Sequence, residues 1–274
     1  MIFWRRRKPV IELRTPAEIE QMRLAGEFVA SVLQACKAAA KPGVNLLELD
    51  ALAHKMIKEA SAKSCYIDYH PSFGAMPFGK VLCTSVNDAV LHGLPFNYRL
   101  KTGDLLSLDF AALTNGWAAD SALSLIVGAD EPGFDANSPQ AIADRKLIKT
   151  TQVALEAGIK AAQVGNKVGD ISYAIGQVAR KAGYEINMDF GGHGVGRTMH
   201  GDPHVANDGK PGKGFPLKPG LVIAIEPWFL ETTDELYTDK DGWTLRSADG
   251  SRGAHSEHTV AITKDGPVIL TAPN

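Results

Sequence analysis

The sequence predicts an α+β fold of two related halves around one core. Three features carry that expectation. A pair of amphipathic helices occurs twice, strand-like runs follow each pair, and a linker rich in Pro, Gly, Asp and Asn (DEPGFDANSP, 130–139) divides the chain. Thr15-Pro16-Ala17-Glu18 opens the first helix: Thr15 caps, Pro16 suits the first turn and Glu18 completes a capping box. Ile19, Met22, Val29, Val32 and Leu33 recur at helical spacing up to the stop signal Lys41-Pro42-Gly43, and a second helix spans 46–62. Residues 39–60 superpose on 161–182 at an offset of 122, matching Ala39 with Ala161, Gly43 with Gly165, Glu48 with Asp170 and Ala60 with Ala182. The second pair is expected at 141–162 and 168–182. Strands are expected at 81–86, 105–113 and 122–128 in the first half, and at 221–230, 243–247, 258–263 and 268–271 in the second. The turns KTGD (101–104) and KPG (218–220) feed two of them.

Bulk properties narrow the function classes. At 274 residues the chain is long enough to bury a full core without staples. A formal net charge of −2 argues against a general nucleic-acid binder, so no specific DNA partner is expected. Cys36, Cys65 and Cys83 are odd in number and contain no CxxC pair, which excludes a disulfide framework and suits a reducing cytoplasm. No apolar run approaches the ~18 residues of a membrane span. The opening MIFWRRRKPV carries Arg5, Arg6, Arg7 and Lys8, but polar sequence follows where a secretory signal would turn apolar. The basic run reads first as a solvated tail. Its second reading is electrostatic docking on an anionic partner such as ribosomal RNA.

Four acids stand out against their surroundings. Asp109 lies within LLSLDFAAL and Glu226 within LVIAIEPWF, runs too apolar for surface strands, while Asp120 and Glu257 open two more apolar strands. Carboxylates are seldom fully buried unless paired or coordinating. One such acid is ordinarily explained by an arginine or a helix terminus. For four on different strands that explanation weakens, and Arg197, Arg246 and Arg252 are too few to neutralise them. Divalent cations would do so directly. The glycine-rich stretch GGHGVGRTMH (191–200) adds His193 and His200, one or both of which join the candidate ligands. Oxygen-rich sites with an imidazole favour Mn, Fe(II), Co or Zn. A pair of such ions ~3.5–4 Å apart makes a hydrolytic clamp.

At this point the ordered set of acids and histidines, with GHGVGRTMHGDP and IEPW between them, resembles methionine aminopeptidase of the bacterial type I class, from about Pro16 to Leu270. The resemblance implies the pita-bread fold, two pseudo-symmetric halves around a curved antiparallel sheet with helices outside. It implies a basic tail over 1–14 and one catalytic domain over 15–274, with halves of about 15–130 and 139–274. By motif, Asp109 resembles the chelating aspartate of one metal, Asp120 and Glu257 the bridging carboxylates, and His193 and Glu226 the ligands of the other. His92 in LHGLP and His200 in MHGDP resemble two non-ligand histidines that hold the scissile amide and its carbonyl. Glu226 or a bridging carboxylate would carry a proton to the leaving amine. The glycines would let the 191–200 loop reach the metal. Phe78, Cys83, Met199 and Trp243 map to the pocket for the first side chain, though an aromatic and a methionine there also read as plain core. His54, His70 and His204 are assigned surface or structural roles, and His255 and His258 flank Glu257 without matching as ligands.

The implied activity is metal-dependent removal of the N-terminal methionine from nascent proteins with a small second residue, by a monomeric cytoplasmic enzyme holding two divalent ions (Co, Mn, Fe or Zn). Transient ribosome contact accompanies that reading. Several positions depart from the family. Ala111 replaces a threonine beside Asp109, Ser72 and Ala75 replace larger pocket-rim residues, Gly201-Asp202 replaces an acidic pair, Ala118-Ala119 precedes Asp120, and His255 replaces an uncharged polar residue. Two alternatives compete. An X-Pro aminopeptidase or prolidase-like peptidase normally carries a large extra N-terminal domain, whereas about fifteen residues precede the first helix here. A catalytically silent pita-bread binding protein usually has lost ligands, whereas all five are present.

Overall fold

The structure, a computed structural model, describes residues 10–71 and 76–273. Ser72 and Ala75, the two pocket-rim departures, and the basic run Arg5–Lys8 lie outside the described residues. Each half opens on a helix pair: α1 (Pro16–Ala39) and α2 (Leu46–Glu59), then α3 (Pro139–Ala161) and α4 (Val168–Ala182). The first half continues through β1 (Lys63–Ser64), β2 (Cys83–Val86), β3 (Ala89–Leu91), β4 (Leu105–Thr114) and β5 (Trp117–Ile126). The second adds β6 (Gly191–Gly194), β7 (Gly201–Ala206), β8 (Val222–Ile225), β9 (Trp228–Leu230) and β10 (Leu236–Thr238). It ends with β11 (Leu245–Ser247), β12 (Gly253–His255), β13 (Glu257–Thr263) and β14 (Gly266–Ile269).

The helix starts follow their sequence signals. Thr15 and Glu18 exchange capping bonds at α1, Asn45 and Glu48 do so at α2, and Ser138 caps α3 ahead of Pro139. The repeat extends to backbone detail. Gly43 and Gly165 both adopt positive φ, +89° and +98°, as the turn between paired helices requires. Leu100 N–H donates to Val44 O and Leu217 N–H to Asn166 O, the same bond in each half.

A nine-stranded antiparallel sheet joins the halves, running β1-β4-β5-β13-β8-β6-β7, with β2 on β4 and β14 on β13. The seam is the β5–β13 pair, where Glu257 faces Ala122 and His258 faces Ser121. Thr259 Oγ1 stitches it by accepting from Asp120 N–H and donating to Asp120 O. Strand alternation sorts β4: Leu106, Leu108, Phe110 and Ala112 pack under α1 and α2 in the first core cluster, while Ser107, Asp109 and Ala111 point to the other face. A second cluster built on α3, α4, β8 and β13 covers the second half. The β4 run is largely apolar because both of its faces are covered.

Two expectations need correction. The run 221–230 is two strands, since Glu226-Pro227 interrupts it between β8 and β9 and Pro227 has no N–H for a ladder. The stretch 191–200 is not a loop over its first part: Gly191–Gly194 form β6, paired with β7 and β8. Its glycines serve close strand approach, because a Cβ at Gly192 would lie 2.2 Å from Ala224 O and one at Gly194 2.1 Å from Asp202 O.

Candidate metal centre and active site

The five strands carrying the candidate ligands are neighbours. Asp109 is on β4, Asp120 on β5, Glu257 begins β13, Glu226 follows β8 and His193 is on β6. Register sets their faces. Asp109 lies opposite Ala122, as does Glu257, and Asp120 is two residues from Ala122 on the same side of β5. The carboxylates therefore meet above one patch of the sheet. Three sets have ligand atoms within 4.8 Å of one another: Asp109, Asp120 and Glu257; His193, Glu226 and Glu257; and Asp120, His193 and His200. His193 Nε2 is 3.5 Å from Glu226 Oε1 and 3.8 Å from Asp120 Oδ2. Its Nδ1 lies 3.1 Å from Gly194 O, so Nδ1–H donates there and the Nε2 lone pair faces the acids.

Electrostatics at this patch are severe. Burial pushes Asp109 up to about 6, against the lowering effect of its Tyr66 bond. Burial, then the charges of neighbouring carboxylates, raise Asp120, Glu226 and Glu257 well above the usual range. No arginine among the described residues relieves them. Arg246 pairs with Asp88 and Asp239, Arg252 with Asp144, and Arg197 lies over the Trp117 ring. At this patch two buried atoms, Glu257 Oε1 and His255 Nε2, lack a hydrogen-bond partner among the described residues. Orphaned acceptors on a carboxylate cluster that lacks cationic side chains are what divalent ions satisfy, so the donor set fits such ions.

One cleft opens over the acids and also takes in His92, His200 and all four expected pocket residues. Phe78, Cys83, Met199 and Trp243 pack with Tyr66 and Ala111 as a single cluster. The Phe78 and Trp243 rings meet edge-on at 5.2 Å, and Trp243 Nε1 donates to Met76 O. His92 sits at positive φ, +54°, with its ring edge-on to Phe190. Burial lowers its imidazole to about 4. His200 presents an open edge at the mouth and stacks edge-on with His193 at 4.3 Å. Its inner side is enclosed, and desolvation followed by the charge of His92 brings it to about 4.

Three residues near the acids were not assigned from sequence. Tyr69 shares a 3.0 Å hydrogen bond with His200 Nδ1. The Tyr66 hydroxyl reaches Asp109 and Asp120. His255, set aside as a flanking residue, places Nε2 3.9 Å from Glu226 Oε2 and 3.8 Å from Glu257 Oε2. The signal for His255 was present, since β12 runs straight into Glu257. For the tyrosines it was absent, because both lie in irregular chain past the two-residue β1. His54 and His70 are exposed, outside the cleft, and His204 donates near Gly192 on β7.

Similarity to known proteins agrees with this geometry. Residues 20–264 match the family model of metallopeptidase family M24. The chain is 45% identical over 264 residues to a methionine aminopeptidase of Aquifex aeolicus, covering 95% of this chain and 98% of that one. The crystal structure of methionine aminopeptidase from Rickettsia prowazekii superposes with a TM-score of 0.88 at 34% identity, over 96% and 100% of the two chains. A prolidase from Pyrococcus furiosus shares the fold, with a TM-score of 0.69 at 23% identity, over 96% of this chain and 66% of that one. Fold and site define a divalent-metal peptidase with the pita-bread architecture. The chain belongs to metallopeptidase family M24, and its near-full-length relatives are methionine aminopeptidases.

Proposed function

We propose that this enzyme removes the N-terminal methionine from nascent polypeptides whose second residue is small. The observation that carries the reading is one cleft joining four carboxylates and His193 to a wall of Phe78, Cys83, Met199 and Trp243. Apolar and sulfur-bearing walls suit a thioether. Asp109, Asp120 and Glu257 would hold one divalent ion, and His193 and Glu226 a second, with Asp120 and Glu257 shared between them. Bound there, such ions (Co, Mn, Fe or Zn) would supply Lewis acidity toward the scissile carbonyl and would lower the pKa of a nearby water. His92 and His200, both neutral at pH 7, flank the scissile amide, and His200 donates to the oxygen that gains charge. Tyr69 fixes the orientation of the His200 ring. Glu226 takes the proton from the attacking water and passes it to the leaving amine. The free α-amine binds beside Asp109.

Incubation with Met-Ala-Ser and each of Mn, Fe(II), Co and Zn releases free methionine on this reading. Silence with all four, or faster cleavage of an Ala-Pro dipeptide, would count against it. The enzyme acts as a cytoplasmic monomer, which sedimentation of the full chain checks. Among the described residues no helix is long and apolar enough to cross a membrane. The Arg5–Lys8 run supports transient ribosome contact, and deleting residues 1–9 should then remove the salt-sensitive part of ribosome binding.

A further inference from the structure

Tyr66 sits just past β1, buried at 7% exposure. It is firmly held. Its backbone N–H donates to Ser64 Oγ, and Cys65 N–H donates to Ala111 O. Its ring meets Phe78 edge-on at 5.7 Å. From that anchorage the hydroxyl stands 2.6 Å from Asp109 Oδ1 and 3.2 Å from Asp120 Oδ1. A phenol has one proton to give, so it donates to the nearer oxygen and stays within reach of the other. The strand itself offers no substitute. Ala111, the next residue on the same face of β4, has no hydrogen-bonding side chain and packs in the cluster that holds Tyr66. The Cys83 thiol also faces Asp109, but sulfur is a weak donor.

We propose that Tyr66 is the positioning residue of the Asp109–Asp120 pair, its hydroxyl fixing the two carboxylates so that both present oxygens to one divalent cation. The assignment rests on reading those carboxylates as cation ligands. A ligand oriented by an outer hydrogen bond loses less freedom on binding, and removing such a partner typically costs about 10–100-fold in metal affinity. Because the donor comes from the β1 end and not from β4, the carboxylate pair is tied to the aromatic wall of the pocket.

The test is a calorimetric titration of metal-free wild type and Tyr66→Phe with Mn(II) alone, with the visible spectrum of the Co(II)-loaded proteins as a second readout. Phenylalanine keeps the ring and the pocket wall, and a metal-free melting temperature close to wild type certifies the fold. The expected result is one cation site weakened by about tenfold or more, an altered Co(II) spectrum, and a kcat for Met-Ala-Ser that falls while KM changes less than about twofold. Wild-type affinity and an unchanged spectrum in Tyr66→Phe would overturn the assignment while leaving the metal reading intact. A wild type that takes up no Mn(II) or Co(II) would overturn both.

Discussion

Asp109 shows how much one residue depends on its neighbours. It pairs across the sheet with Cys83 on one side and Ala122 on the other, and accepts from Tyr66. Its carboxylate is expensive to keep charged in that setting. Asp109→Asn keeps the shape and removes the charge. It should lower hydrolysis of Met-Ala-Ser by roughly 100-fold or more with the metal-free melting temperature little changed; steady-state kinetics beside calorimetry reads both. Met199 is buried on the pocket wall. Met199→Ala should raise KM for Met-Ala-Ser by roughly tenfold, with kcat moving less, since lost pocket contacts weaken binding of the first side chain. An unchanged KM would place that side chain elsewhere.

At the scale of elements, the strands decide where the site forms. The five strands associated with the proposed ligands lie side by side, so the spacing of strands sets the spacing of acids. The approach of β6 to β8 is the tightest link, because a Cβ at Gly192 would fall 2.2 Å from Ala224 O. Gly192→Ala should force β6 away from β8, destabilise the fold by about 1–3 kcal/mol and loosen cation binding through His193, read by thermal melts with and without Mn(II). The helix pairs and long strands were legible in the sequence because capping residues and runs of apolar side chains are local signals, from Thr15 to Glu18 and across Leu105–Leu113. The acids were legible for the opposite reason, since Asp109 and Glu226 contradict the apolar runs around them. Short strands were not. β3, β6, β7, β10 and β12 owe their form to cross-strand pairing more than to their own few residues, and the glycines of β6 carry no strand propensity at all. Tyr66 was silent for the same reason: its role exists only where the β1 end meets β4.

The whole molecule couples proton binding to cation binding. Burial raises all four carboxylates, Asp109 to about 6, and the charges of neighbouring carboxylates add to the rise at Asp120, Glu226 and Glu257. A carboxyl group raised in the folded state contributes stability below its unfolded pKa, near 4, and loses it as pH rises through the folded value. Buried histidines work in the opposite sense: His92 near 4 and His255 near 3 cost stability as pH falls below about 6.5. They are not proposed ligands, so their effect cancels when loaded and metal-free protein are compared at one pH. Cations must displace protons from the carboxylates below their folded pKa values and displace none above them. The rise in melting temperature produced by Mn(II) should therefore be larger at pH 8 than at pH 5.5, and a rise independent of pH would mean that the carboxylates are not the ligands. The most direct measurement of the central claim is anomalous X-ray diffraction at the manganese edge from crystals soaked in Mn(II). The account predicts peaks enclosed by Asp109, Asp120, His193, Glu226 and Glu257. A map with no peak among those five residues, or with ordered manganese only at other places, would contradict it.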